Sequence, residues 1–256
     1  MKVIKCDLPD FKEISILPLA DIHLGDPHSD FKKLMEYIDY LKNTPNAFTI
    51  LNGDLMDSAT RNSIGDIYAA DLSPMRQLEQ CVKIFGPIKD KILACTGGNH
   101  EARIYRSDGI DTSALMCNQL GLDCYAPTGA LLFVRFGKQS SRKHNRPVCY
   151  TIYAQHGRGG GKTEGGKINR VSDLAAIVDA DIYLHSHTHL PALYKLGYFR
   201  VDTANSSVAE VTKLFVNTSG MLNYGGYGET MGYKPASTDT PLIRLDGTRK
   251  RMTAAL

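Results

Sequence analysis

Short apolar runs recur along the first half of the chain, and each is followed by polar residues. Residues 14–20 (Ile-Ser-Ile-Leu-Pro-Leu-Ala) predict a strand that ends at Asp21. Phe31, Leu34, Met35, Ile38 and Leu41 recur at helical spacing, and Ser29 or Asp30 can cap the helix they predict. Residues 47–51 predict a buried strand that turns at Asn52-Gly53-Asp54. Ser73-Pro74 opens a second helix, with Met75, Leu78, Val82 and Phe85 as its apolar stripe. Residues 91–95 predict a strand, and a helix near 111–120 stops at Gly121.

The pattern then changes. Residues 130–136 and 148–154 predict two antiparallel strands around a polar connection. Residues 171–178 read as helical, and 181–185, 192–201, 213–218 and 241–245 as strands. The basic end, Arg249-Lys250-Arg251, reads as a solvated tail. Strand–helix alternation followed by strand-rich sequence predicts an α/β chain with two packed mixed sheets flanked by helices. No shift in composition divides it, so residues 1–256 are expected to form a single domain.

Composition adds bounds. The chain is 43% hydrophobic and 22% charged, a globular balance, and its net charge of +3 does not mark it as a nucleic-acid binder. Its six cysteines form no Cys-x-x-Cys pair and read as buried thiols in a reducing compartment. The first ten residues lack the apolar stretch of a secretory signal, and no run is long enough to span a bilayer. A cytoplasmic protein with no membrane partner is expected.

The chemistry lies just after the predicted strands, in five blocks. They are Asp21-Ile22-His23, Gly53-Asp54-Leu55-Met56-Asp57, Gly98-Asn99-His100-Glu101, Gln155-His156-Gly157 and His185-Ser186-His187-Thr188-His189. His187 and His189 point to one side if the backbone there is extended. Imidazoles and hard oxygens without a thiolate suit divalent manganese, iron, zinc or cobalt. One ion cannot use every donor in the set and still leave a position open for substrate; two ions can.

In identity, order and spacing the blocks resemble those of the calcineurin-like metallophosphoesterases. Val216-Asn217-Thr218-Ser219-Gly220 is similar to the Asn-Pro-Gly-Ser strand end of the smaller phosphodiesterases in that family. Two departures stand out. Ser186 replaces the usual Gly, and Ser58-Ala59 follows Asp57 where the protein phosphatases continue with Arg-Gly.

The resemblance implies a four-layer sandwich of two mixed β-sheets flanked by α-helices. It also implies two divalent ions, with manganese ahead of iron, zinc, cobalt and nickel. Asp21, His23 and His189 would bind one ion. Asn99, His156 and His187 would bind the other, and Asp54 would bridge them. A hydroxide between the ions would attack phosphorus, His100 would assist the leaving group, and Asp57 would orient His100. A phosphodiester is the expected substrate, with nucleotides or nucleic acid as sources. Alternatives are a nuclease in particular, a phosphomonoesterase, or a non-catalytic scaffold of the same fold.

Other residues carry weaker expectations. Arg103 is the best single phosphate contact, ahead of Arg61 and Arg106. Glu101 and His185 read as supporting residues, His28 as surface, and His144 has no role. The stretch from Gly157 to Gly166, with Arg158, Lys162 and Thr163, reads as a flexible lid rather than a nucleotide-binding P-loop. Lys138, Arg142, Lys143 and Arg146 read as a solvated hairpin tip.

Overall fold

The computed structural model describes residues 1–8, 11–61, 63, 67–138, 146–161 and 163–256. Arg142, Lys143, His144 and Lys162 lie outside the described residues. The strands are β1 (Lys2–Asp7), β2 (Glu13–Ile16), β3 (Ala47–Asn52), β4 (Ile92–Thr96), β5 (Tyr125–Ala126), β6 (Ala130–Phe136), β7 (Val148–Gln155), β8 (Ile182–His185), β9 (Ala192–Asp202), β10 (Ser207–Asn217), β11 (Leu242–Asp246) and β12 (Met252–Ala255). The helices are α1 (Phe31–Asn43), α2 (Pro74–Phe85), α3 (Glu101–Asp108), α4 (Thr112–Leu120), α5 (Glu164–Asp173) and α6 (Gly226–Thr230).

One sheet runs β1-β6-β7-β8-β10-β9 and the other β12-β11-β2-β3-β4-β5. Both mix parallel and antiparallel pairs. Their facing residues form one core, in which Ile14, Ile16, Phe48, Ile50 and Leu245 meet Leu132, Tyr150, Ile152, Ile182 and Val216. Leu34, Ile38 and Leu41 of α1, Leu78 and Phe85 of α2 and Met116 of α4 cover the outer face of the second sheet. Val171 of α5 covers the first sheet with Tyr153, Tyr183 and Phe215. The result is four layers, as expected. Among the described residues no helix is long and apolar enough to cross a membrane.

Strands β2, β3 and β4 run parallel in one sheet and β7, β8 and β10 in the other. Loops after parallel strands leave from the same edge, which gathers residues distant in sequence. Strand β2 is shorter than the predicted 14–20 because Pro18 has no N–H for the ladder. The chain nevertheless stays alongside β3, with Leu17 and Leu19 N–H groups on the Phe48 and Ile50 carbonyls.

Asp30 is the cap of α1, its side chain accepting from Lys33 N–H. The pair 130–136 and 148–154 is antiparallel as predicted. On α2, Met75 is exposed and Gln77 is buried in its place. The Gln77 amide accepts from Ser58 N–H and donates to the Leu72 carbonyl, bonds that make a polar residue stable there. All six cysteines are free, four of them buried.

Two expectations fail in part. The helix expected at 171–178 starts seven residues earlier, so the end of the glycine-rich stretch is helical: α5 begins at Glu164, with the Thr163 hydroxyl capping Gly166 N–H. The basic end is solvated as expected, with Arg249, Lys250 and Arg251 exposed, but it is not a tail. It leads into β12, which pairs with β11, and Lys250 meets Asp181 at 2.8 Å. The buried Tyr150 hydroxyl donates to the Asp246 carbonyl at 2.7 Å and accepts from Arg251 N–H at 2.9 Å. Tyr150→Phe removes both bonds, and leaves Arg251 N–H only the Arg249 carbonyl at 2.8 Å. The variant should unfold with stability lower by about 1–3 kcal/mol in urea titration. An unchanged midpoint would mean that the tail is not held by this contact.

Candidate functional site

At the shared edge, short backbone turns replace the strands. Asp21, His23, Asp54, His187 and His189 all take the left-handed backbone conformation, with φ of 50°, 50°, 50°, 68° and 55°. Ser58 and Ser206 are the other non-glycine residues with positive φ among those described. Asp and His enter this region more readily than most residues, yet such positions concentrate at functional sites because the surrounding fold must enforce them. Each turn swings its side chain off the sheet edge toward the same space.

Two glycines make the convergence possible. A Cβ at Gly98 would overlap the Asp54 carboxylate, and one at Gly53 would stand 2.8 Å from the His156 ring and 2.9 Å from the Gly97 carbonyl. Glu101, buried at the start of α3, accepts from the N–H groups of Asp54, Leu55 and Met56 at 2.7–3.1 Å. This locks the turn that carries Asp54.

Asp21 and Asp54 are 0% and 1% exposed. Asp21 Oδ2 accepts from His187 N–H at 2.9 Å, but its buried Oδ1 has no hydrogen-bond partner. That oxygen is 3.2 Å from His189 Nε2, and His189 Nε2 is 3.2 Å from His23 Nε2. Asp54 Oδ1 accepts from His100 N–H, and Oδ2 lies 3.2 Å from His156 Nε2. Asn99 Oδ1 is 3.1 Å from the same nitrogen. Three groups have donor atoms close enough to hold a metal ion: Asp21, His23 and His189; Asp54, His156 and His187; and His23, Asp54 and His100.

The electrostatics favour a cation. Burial, then His100 and His189, hold the His23 pKa well below its usual range, so its ring is neutral with a free lone pair. Burial, then His156, lowers His187 to about 4. Burial opposes charge on both Asp54 and His156, but their mutual attraction prevails. Asp54 stays ionised, and His156 is raised to about 10 with help from Asp21 and the Asn52 carbonyl. Two buried carboxylates thus demand positive charge between them. The orphaned Asp21 oxygen and the neutral imidazoles are the donors a divalent ion would use.

His100 stands at the rim, half-way between the loop and α3. Its Nδ1 is 2.7 Å from the Asp57 carbonyl oxygen and 3.2 Å from the Asp57 carboxylate. Burial disfavours its charged form, but Asp54 and Asp57 outweigh that and raise its pKa, while Arg103 pulls the other way. Arg103 meets the metal-type groups only at His100. Its guanidinium lies on His100 Nε2 at 2.9 Å and on the Asp57 carbonyl at 3.3 Å. Arg61, Arg106 and Arg158 are exposed.

Behind the donors lies a buried polar chain. Asn52 Nδ2 donates to Ser186 Oγ at 2.7 Å and to the Gln155 carbonyl at 3.1 Å. Thr96 donates to Asn52 Oδ1, and Thr218 donates to Ser186 Oγ. The Asn52 carbonyl accepts from His156 Nδ1 at 2.8 Å, which turns Nε2 toward Asp54. His185 donates to Asn217 Oδ1 at 2.7 Å, and Asn217 Nδ2 donates to Thr188 and the Leu190 carbonyl. Ser186 therefore joins the two sheets, beyond the turn geometry expected of it. Asn52 is a supporting residue the sequence reading missed, although its place just before Gly53-Asp54 was the available signal. His28 lies beside Asp26 and packs under Gly225 and Gly226, which makes it only part of the surface.

No curated protein sequence matches this chain. Among solved structures it is similar to a conserved uncharacterized protein, a predicted phosphoesterase, from Streptococcus pneumoniae TIGR4. That similarity is 13% in identity, covers 94% of this chain and 88% of the other, and has a TM-score of 0.39. Residues 22–191 match the family model of calcineurin-like phosphoesterases, a span that runs from Ile22 past the paired histidines. The chain belongs to the calcineurin-like phosphoesterases, a family of metal-dependent hydrolases.

Proposed function

We propose that the chain hydrolyses phosphodiesters, with nucleotides or nucleic acid as the source of the diester and manganese as the preferred metal. Asp21, His23 and His189 would hold one ion, Asn99, His156 and His187 the other, and Asp54 would bridge them. Bound there, two divalent ions would supply Lewis acidity toward the phosphoryl oxygens and make water a better nucleophile.

The protein's own groups account for the rest of the reaction. Glu101 and the Asn52 carbonyl fix the carboxylate and imidazole of Asp54 and His156 before substrate arrives. Water adds to phosphorus, the bond to the departing alcohol breaks, and His100 gives a proton to that oxygen. Asp57 holds the His100 ring through Nδ1. A reducing cytoplasm suits the six free thiols.

The observation that favours a diester over a monoester is at Ser58. The protein phosphatases present an arginine after their aspartate at this point. Here the buried Ser58, its N–H bound to Gln77 Oε1, stands at that point and brings no cation for the extra charge of a monoester.

Metal-loaded protein should turn over a nitrophenyl diester, cyclic nucleotides or single- or double-stranded DNA and RNA faster than a nitrophenyl monoester. Monoester turnover above that of every diester would sink the reading. His100→Ala should keep both metals in elemental analysis and lose about 10²–10⁴-fold in rate on an unactivated diester. A wild-type rate there would remove His100 from the reaction. Chelation should abolish turnover and lower the melting temperature, because two buried carboxylates lose their cations, and added Mn²⁺ should restore both.

A further inference from the structure

Arg103 is the one cation among the described residues that lies against His100, and its partners are a ring nitrogen and a carbonyl, not a carboxylate. It follows His100 by three residues on α3, which places both on one helix face. A guanidinium has only donors, so its approach to 2.9 Å requires the lone pair of Nε2 to face it. The proton of the ring then sits on Nδ1, toward the Asp57 carbonyl at 2.7 Å. The second arm of Arg103 reaches that same carbonyl at 3.3 Å. Arg103, His100 and Asp57 thus form a closed triangle in which the fork of the guanidinium fixes both the tilt and the tautomer of the imidazole.

We propose that Arg103 is a positioning residue that acts through His100, and not a clamp on the phosphate. It braces the ring with Nε2 turned toward the path of the departing oxygen. When substrate enters, the guanidinium leaves Nε2, which takes up a proton from solvent and passes it to that oxygen as the P–O bond breaks, while Nδ1–H stays on the Asp57 carbonyl. This rests on the role given to His100 above. A brace affects the departure of the alcohol, and matters most when that alcohol is a poor leaving group. A clamp affects binding of every phosphoester alike.

The test uses Arg103→Ala and Arg103→Lys in the metal-loaded protein, with aryl phosphodiesters of rising leaving-group pKa. For Arg103→Ala, kcat should fall about tenfold or more with a phenol leaving group, but less than about threefold with nitrophenol, with KM nearly constant. Arg103→Lys should behave like Arg103→Ala, because one ammonium cannot span Nε2 and the Asp57 carbonyl. A KM rise common to all substrates with kcat unchanged, or full recovery with lysine, would overturn the proposal. Ring-¹⁵N spectra of the zinc-loaded protein give an independent readout. Wild type should show His100 protonated at Nδ1 with Nε2 accepting a bond, and Arg103→Ala should lose that signature; identical spectra would overturn the brace. If His100→Ala shows no leaving-group dependence, the role of His100 in the reaction falls. The ring spectra still decide whether Arg103 holds it.

Discussion

Two carboxylates that water cannot reach organise this molecule. Asp21 and Asp54 are removed from solvent at the shared edge of the sheets. An ionised carboxylate buried alone costs several kcal/mol even after relaxation, so the fold must surround it with donors. The N–H groups of His187 and His100, and the ring of His156, do so in part. One oxygen of Asp21 remains without a partner while neutral imidazoles crowd it. The His156 ring answers Asp54, but the buried Asp21 oxygen is left without a hydrogen bond, and that is the position a divalent cation would satisfy.

Holding the donors together strains the backbone. Left-handed conformations at Asp21, His23, Asp54, His187 and His189 are stable only where the chain on either side cannot relax. Rigid strands supply one anchor and the polar chain through Thr96, Asn52, Ser186 and Thr218 supplies another. That chain crosses from one sheet to the other directly behind the site. A serine at position 186 therefore has a physical reason here, because its hydroxyl accepts from Asn52 and Thr218 where a glycine would leave two donors buried without a partner.

How much of this was legible follows from what each residue does. The convergence of the blocks was legible because few tasks call for so many carboxylates and imidazoles just after strands: Asp21, His23, Asp54, His156, His187 and His189 come together, with Asn99 beside His156. Strands such as β3 and the β6–β7 pair were legible because they are continuous apolar runs buried in the core. Strand β1 was not, since Lys2, Lys5 and Asp7 interrupt an edge strand held by its parallel ladder to β6. Helix α3 was missed for a similar reason: apart from Glu101, only Ile104 is buried on it. Strand β12 pairs with β11, and the turn that leads into it is bonded to Tyr150, about a hundred residues away, a contact that no local pattern encodes. Supporting contacts such as Gln77 to Ser58 and Arg103 to His100 join residues whose types alone suggest other roles.

The floor and the walls of the site differ in how they are held. The floor rests on buried carboxylates, charge-assisted bonds and strained turns, each costly to disrupt. The chain leaving the site toward residues 221–236 meets the start of α5 through Lys234 and Glu164 at 2.6 Å, both side chains more than half exposed. Lys167 over the Tyr233 ring adds a contact at 5.6 Å. Water screens such pairs, so they constrain the walls only weakly. The reaction at phosphorus follows from the floor, whose residue types ligand chemistry dictates. The choice of substrate falls to the walls, where many sequences could serve, and this is why the sequence speaks clearly about the chemistry and faintly about the substrate.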